Sequence, residues 1–311
     1  MEGEDLKKVT RINLKTHCSD RKALIDYCLH RKGEQKLAIG WSYLHEENGH
    51  SRSFVSYRDF YKAVRARVKR INHALNVFWY AKEGDLFWTR DLDGNYWICR
   101  AKGEAVPEYH REMDIGAVVP VEAHEVGMTV PGQISTSFNR LHGGICQDIY
   151  DNIIVEYSKH IFNEKTQRKD HTYPVHKVKE NLLENLPPFE LEELVISYIQ
   201  IKEGYYVLSN SIARGSTTVK VECEFRSRNP EEPKKAVVQV KGGAELDASE
   251  FQDYAEKGYI VYLYASKIEN LDKIKNCFEI TGKELKDFYD EYKEVLPESI
   301  KELENLFRKH D

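Results

Sequence analysis

Apolar positions recur along this chain with two different periods, and the periods name its elements. Tyr57, Phe60, Tyr61, Val64, Val68, Ile71 and Leu75 fall at helical spacing, so residues 57–75 read as one amphipathic helix. Arg65, Arg67, Lys69 and Arg70 give that helix a basic side facing solvent or phosphate. Residues 85–90 and 95–100 are rich in aromatic and β-branched side chains and flank Asp91-Leu92-Asp93-Gly94. An Asp-Gly pair between two such runs predicts a β-hairpin. Residues 36–41 read as a strand ending at a glycine, and 116–121 as another. Pro120 restricts the latter to an edge or an end, because proline cannot donate to a ladder. With helices expected at 20–32 and 149–161, the first 150 residues read as a small, barrel-like α+β domain.

Residues 163–188 are polar and proline-punctuated, which predicts a linker. Beyond it the pattern gives a helix at 189–202, strands at 205–210, 218–226 and 235–241, a helix at 247–256 and a strand at 259–264. Helices at 279–291 and 296–308 close the chain. This is an α/β order around a central mixed sheet. The expected organisation is a first domain over 1–162, a linker over 163–188 and a second domain over 189–311.

Composition narrows the picture. The 311 residues suffice for two domains, and 41% hydrophobic with 31% charged is ordinary for a soluble globular protein. No run approaches the roughly 20 apolar residues of a membrane span. Met1-Glu2-Gly3-Glu4-Asp5 is acidic with no apolar segment behind it, so no signal peptide is read and a cytoplasmic location is expected. Six cysteines lie scattered without a Cys-x-x-Cys pair, which argues against a zinc module; Cys28 and His30 form at most a metal half-site. The net charge is −5, and it is uneven: residues 1–150 carry 22 basic and 20 acidic side chains, residues 151–311 carry 24 and 31. An acidic protein meets nucleic acid only through local basic patches or bound cations.

Candidate chemistry concentrates in Val237-Val238-Gln239-Val240-Lys241-Gly242-Gly243. A strand places Gln239 and Lys241 on one face, and a lysine among apolar neighbours calls for an anion. Val221-Glu222-Cys223-Glu224-Phe225 alternates in the same way, with Glu222 and Glu224 sharing a face. Upstream, Leu191-Glu192-Glu193-Leu194-Val195 lies on the expected first helix, and Gly204-Tyr205-Tyr206 follows it.

A helix glutamate, an acidic strand and Gln-x-Lys in this order resemble the PD-(D/E)xK nuclease superfamily, closest to its Mrr-like restriction branch, over residues 189–264. The resemblance implies a restriction-endonuclease-like fold and hydrolysis of DNA phosphodiesters with Mg2+ or Mn2+. It implies Glu222 as metal-binding carboxylate, with Gln239 and the Val240 backbone carbonyl as further oxygen ligands. Lys241 would position or deprotonate the water and stabilise developing negative charge, and Glu192 would hold a metal-bound water or second ion. The superfamily's usual aspartate in the second strand is absent, and Glu224 is the alternative to Glu222. Arg214, just ahead of that strand, is a candidate DNA-backbone contact.

All four tryptophans lie in the first half. Ile39-Gly40-Trp41 and Glu83-Gly84-Asp85-Leu86-Phe87-Trp88 resemble the EVE domain and its PUA/YTH-like relatives, which implies a reader that holds a flipped, modified base in an aromatic cage. Stacking on aromatic faces repays the cost of extruding a base, at about 1–3 kcal/mol per base. Trp41, Trp79, Trp88 and Trp97 are the cage candidates, although Phe87 and Trp88 point to opposite faces of a strand, so one of them belongs to the core. Asp114 and Asn76 are candidate base-edge partners; Arg65, Lys69 and Arg70 are candidate phosphate contacts. His142-Gly143-Gly144 has no partner motif.

The two resemblances together imply a modification-dependent DNA endonuclease of the type IV restriction kind, acting in antiviral defence. DNA carrying modified bases would be its partner, and a homodimer would allow both strands to be cut. The alternatives are a non-catalytic nucleic-acid-binding protein with a decayed nuclease fold, or a regulatory protein-interaction module.

Overall fold

The computed structural model describes residues 6–47, 50–51, 53–68, 73–139, 144–176, 182–212 and 221–307. The chain forms two compact units, Met1–Lys177 and Val178–Asp311. Among the described residues, no helix is long and apolar enough to cross a membrane.

The first unit runs β1 (Val9–Ile12), α1 (Arg21–Ile25, continued by a wider turn to His30), β2 (Lys36–Ile39), the two-residue strands β3 (Glu46–Glu47) and β4 (His50–Ser51), and α2 (Tyr57–Arg67). It continues through α3 (His73–Tyr80), β5 (Leu86–Arg90), β6 (Tyr96–Ala101), β7 (Val106–His110), β8 (Ile115–Gly127), α4 (Gly132–Asn139), β9 (Cys146–Ile149) and α5 (Asn152–Lys165). Seven strands form one sheet in the order β2-β8-β6-β5-β1-β9, with β7 also on β8. Among the described residues of this sheet, β1 and β5 pair in parallel and the other pairs are antiparallel.

β8 curls this sheet into a half barrel by serving both of its parts. It pairs with β7 as far as Val118 and with β6 from Val121, and Pro120 sits at the changeover. Pro120 is therefore inside a 13-residue strand rather than at its end. The missing N–H is tolerated where one partner strand leaves off and the next begins, and the Pro120 carbonyl still accepts from Lys102.

The expected hairpin is present. Gly94 takes a φ of 93°, and the buried Asp91 ties the turn, accepting from the backbone of Asp93 and Asn95 and from Trp97 Nε1. The expected single helix over 57–75 is two. Ser56 caps α2, and the helix stops at Arg67 because Val68 turns extended, at φ −100° and ψ 117°. β1 and β9 escaped the sequence pattern. β1 is only four residues long, and its buried Arg11 reads as a surface position although its guanidinium donates to the carbonyls of Gly144 and Ile145.

Part of the stretch expected as linker is built into this unit. α5 runs on to Lys165, and Asn163 brackets Tyr173, donating to its carbonyl and accepting from its N–H. Tyr173 in turn donates to Gly84, while Thr166 and His171 both donate to Glu122. The polar composition that reads as linker satisfies itself in local hydrogen bonds.

The second unit contains α6 (Leu182–Asn185), α7 (Pro188–Ile201), β10 (Tyr205–Val207), β11 (Cys223–Ser227), β12 (Lys235–Asp247), α8 (Gln252–Glu256), β13 (Tyr259–Glu269), β14 (Cys277–Glu279), α9 (Gly282–Tyr292) and α10 (Glu298–Phe307). Its mixed five-stranded sheet has the order β10-β11-β12-β13-β14, antiparallel on the β10 side and parallel from β12 to β14. Pro188 opens α7 at a position where its missing N–H costs nothing, and Thr281 with Glu284 forms a capping box on α9.

Two strands are longer than expected. The glycine pair does not end β12; it carries a bulge, with Gly243 at φ 72° and the register to β13 shifting between Lys241 and Glu245. Pairing then resumes as far as Asp247. β10, in contrast, stops at Val207. β14 went unread because its three residues fall beside the expected closing helix, which begins later, at Gly282.

Candidate functional site

Glu192 reaches the sheet because α7 lies tight against the β12 bulge. A Cβ on Gly242 would stand 2.7 Å from Leu191 Cδ2, so glycine there permits the close approach. Glu222 immediately precedes β11 and is held in register by its N–H on the Val238 carbonyl, at 2.8 Å. That register places it beside Gln239, whose Nε2 donates to Glu222 Oε1 at 2.6 Å and to the Val240 carbonyl at 3.2 Å. Gln239 is buried, and Lys241, two residues on, is exposed.

The charges couple. Burial first, then the Glu222 carboxylate, pushes Glu192 up to about 7 against the pull of Lys241. Glu222 is also raised by burial, opposed by the Gln239 hydrogen bond and by Lys241. Glu192, Glu222, Gln239 and Lys241 are therefore brought together from three elements. Glu224 is not part of this group. Its N–H donates to the Ser211 hydroxyl, and its charge acts on Tyr254 of α8.

The candidate ligands are all oxygens, two carboxylates, the Val240 carbonyl and the Gln239 amide oxygen, although Gln239 here turns its Nε2 toward Glu222 and Val240. Hard ligands of this kind suit Mg2+ or Mn2+ rather than zinc. Two half-buried carboxylates with raised pKa, opposed by one exposed lysine, also fit a site that gains from a cation. Among the described residues no trio of His, Cys, Asp or Glu side chains is arranged to hold a metal. The Cys28–His30 half-site is not formed: Cys28 is buried with its thiol pushed up to about 12, and His30 pairs with Asp26 at 2.8 Å.

In the first unit, a cavity of about 440 Å³ is lined by Asn13, Thr16, His17, Trp41, His73 and Asp114, among others. Trp41 and Asp114 both adopt left-handed backbone conformations, at φ 69° and 47°. Such strain in non-glycine residues persists only where the surroundings impose it. Here Asp114 Oδ1 accepts from the N–H and hydroxyl of Ser42, and Oδ2 accepts from the His17 N–H. Gly40 is required beside it, since a Cβ there would stand 2.7 Å from Asp114 Oδ2. Thr16 is anchored by its hydroxyl on the Met113 carbonyl.

Of the four cage tryptophans, only Trp41 lines this cavity. Trp88 is completely buried, donating to the Ser158 hydroxyl at 2.8 Å and stacked on Tyr157. Trp97 is also buried, with its N–H on Asp91. Both are core residues, because β5 and β6 lie within the sheet and are covered on both faces. Trp79 stands half-exposed on α3 against Tyr61, and Asn76 accepts the Tyr61 hydroxyl; neither lines the cavity. Arg65 is exposed on α2, whereas Lys69, Arg70, Arg214, His142 and Gly143 lie outside the described residues. The sequence reading missed Asn13, Thr16, His17 and His73. No periodic signal marks them, since they come from loops and a helix start that only the fold assembles.

No protein-family model and no curated protein matches the chain. Among solved structures, the EndoMS complex with double-stranded DNA is similar at 13% identity and a TM-score of 0.23, over 63% of this chain and 64% of that one. The MspJI restriction endonuclease in complex with a 27-mer oligonucleotide is similar at 9% identity and a TM-score of 0.24, over 86% and 66%. The chain thus spans just under two thirds of the length of either structure. Scores this low carry no weight for fold or activity.

Proposed function

We propose that this chain is a metal-dependent DNA endonuclease whose second unit is a PD-(D/E)xK, Mrr-like nuclease. The observation that supports it is the convergence of Glu192, Glu222, Gln239 and Lys241 at one end of a mixed sheet. Mg2+ or Mn2+, when bound, would supply charge neutralisation and Lewis acidity at the phosphate. Glu222, Glu192, the Gln239 amide oxygen and the Val240 carbonyl are the groups that would hold it. Glu192, raised to about 7 by burial and the Glu222 charge in the cation-free site, would hold a metal-bound water or a second ion. Lys241 places an ammonium where negative charge grows on the phosphate.

The first unit acts in this proposal as an EVE/PUA-like reader. Trp41 offers a stacking face and Asp114 an acceptor in a cavity large enough for a nucleobase. Selection of modified DNA by the reader and cutting by the nuclease would amount to type IV-like restriction in a prokaryotic cytoplasm, with a homodimer cutting both strands. The test is cleavage of unmodified, methylated, hydroxymethylated and glucosylated duplexes with Mg2+ or Mn2+. Cleavage of at least one duplex, abolished by Lys241→Ala, is expected. Intact DNA across the panel would sink the nuclease. One observation favours a second reading, a non-catalytic DNA-binding protein: the Gln239 amide nitrogen, a donor, faces the Glu222 carboxylate and the Val240 carbonyl.

A further inference from the structure

One amide atom of Gln239 lies 2.6 Å from Glu222 Oε1 and 3.2 Å from the Val240 carbonyl oxygen. Both neighbours are acceptors, so that atom must be the nitrogen; an amide oxygen in its place would face two oxygens with no hydrogen between them. These same two oxygens are the ones the proposed cation would need. The amide N–H2 group thus stands where positive charge is wanted and supplies it as a pair of donors. Gln239 is only 6% exposed, and Val238 and Val240 on either side are buried, so solvent does not readily replace those donors.

We infer that Gln239 is a gate on the candidate active site: its amide nitrogen caps two of the oxygens a divalent cation would use, and the cation reaches them only when the amide withdraws and turns its oxygen toward the ion. The inference rests on the nuclease reading of this site and adds a role that the residue type dictates. Rotation about the side-chain torsions draws the amide off these oxygens and turns its own oxygen toward the ion without moving the strand. With nitrogen inward, the site is closed by two hydrogen bonds. With oxygen inward, the amide becomes a ligand, and the two oxygens it leaves face the ion. A glutamate at this position would have no donor with which to close the site. Glutamine therefore weakens cation affinity twice, by lacking a charge and by competing for the same oxygens.

The test uses the full-length protein labelled with 15N-glutamine. The Gln239 side-chain amide resonance, assigned through Gln239→Met, is followed as Mg2+ is added, while calorimetry measures Mg2+ and Mn2+ binding to the wild type and to Gln239→Glu. The cation-free amide is expected to exchange slowly with solvent. Saturating Mg2+ should shift the resonance and speed its exchange, and Gln239→Glu should bind Mn2+ at least about tenfold more tightly. The wild-type resonance keeps the test decisive even if a variant does not fold. An unmoved resonance while calorimetry records binding would overturn the gate and leave the nuclease reading standing. No cation binding by either protein would overturn both.

Discussion

The pocket of the first unit makes a quantitative claim about Gly40. Its backbone is not in the left-handed region, so alanine fits its conformation, and the cost of Gly40→Ala comes from contact alone. The new methyl group would stand 2.7 Å from Asp114 Oδ2, where ordinary contact begins at 3.4 Å. Asp114 must then retreat by about 0.7 Å, taking the 3.1 Å bond from the His17 N–H beyond hydrogen-bonding reach. Losing a bond to a charged acceptor costs about 1.5–3 kcal/mol, and the residual overpacking adds about 1 kcal/mol. We expect Gly40→Ala to destabilise this unit by about 2–4 kcal/mol. In an Asp114→Ala background the obstacle is gone, and the same change should cost less than about 1 kcal/mol. Urea unfolding followed by tryptophan fluorescence reports on this unit alone, since all four tryptophans lie in it. Equal costs in the two backgrounds would refute the reasoning.

Three further expectations follow from named contacts. Trp88→Phe removes the hydrogen bond to Ser158 and leaves a void in the core, so urea unfolding should show a loss of about 2–4 kcal/mol, with DNA binding of the folded fraction unchanged. Trp41→Ala should weaken binding to the preferred duplex by about tenfold or more in a fluorescence-anisotropy titration of the folded fraction, since Trp41 also packs against the core. Glu192 has a raised folded-state pKa, so its contribution to stability is full below the unfolded value of 4.5 and is lost as pH rises through about 7. Cation-free protein should therefore become less stable across that window. Glu192→Gln should flatten this part of the pH profile in urea titrations; an unchanged profile would exclude Glu192 as its source.

The periodic elements were legible in the sequence because period and burial coincide there. α2, the Asp-Gly hairpin, α5, α7 and the core of β12 all follow this rule. Gln239 and Lys241 were legible as chemistry for the same reason: a polar pair interrupts an apolar strand at a spacing of two. The failures have a common physical cause. Trp88 and Trp97 stand among the cage candidates because aromatic character alone does not distinguish a cage from a core; their N–H groups find Ser158 and Asp91 inside the fold. β1 was missed because Arg11 is buried through hydrogen bonds to backbone carbonyls far along the chain.

Local pattern, then, was enough to place the longer periodic helices and strands and to show which residue types are available for chemistry. Only tertiary structure decided which acid joins Glu192, through the β11–β12 register that sets Glu222 against Gln239. It also decided that paired glycines make a bulge rather than an end, and that residues from the loop after β1, the start of α3 and the stretch before β9 meet Trp41 and Asp114 in one cavity. Register, bulges and loop convergence arise from contacts between residues distant in sequence, and no single segment encodes them.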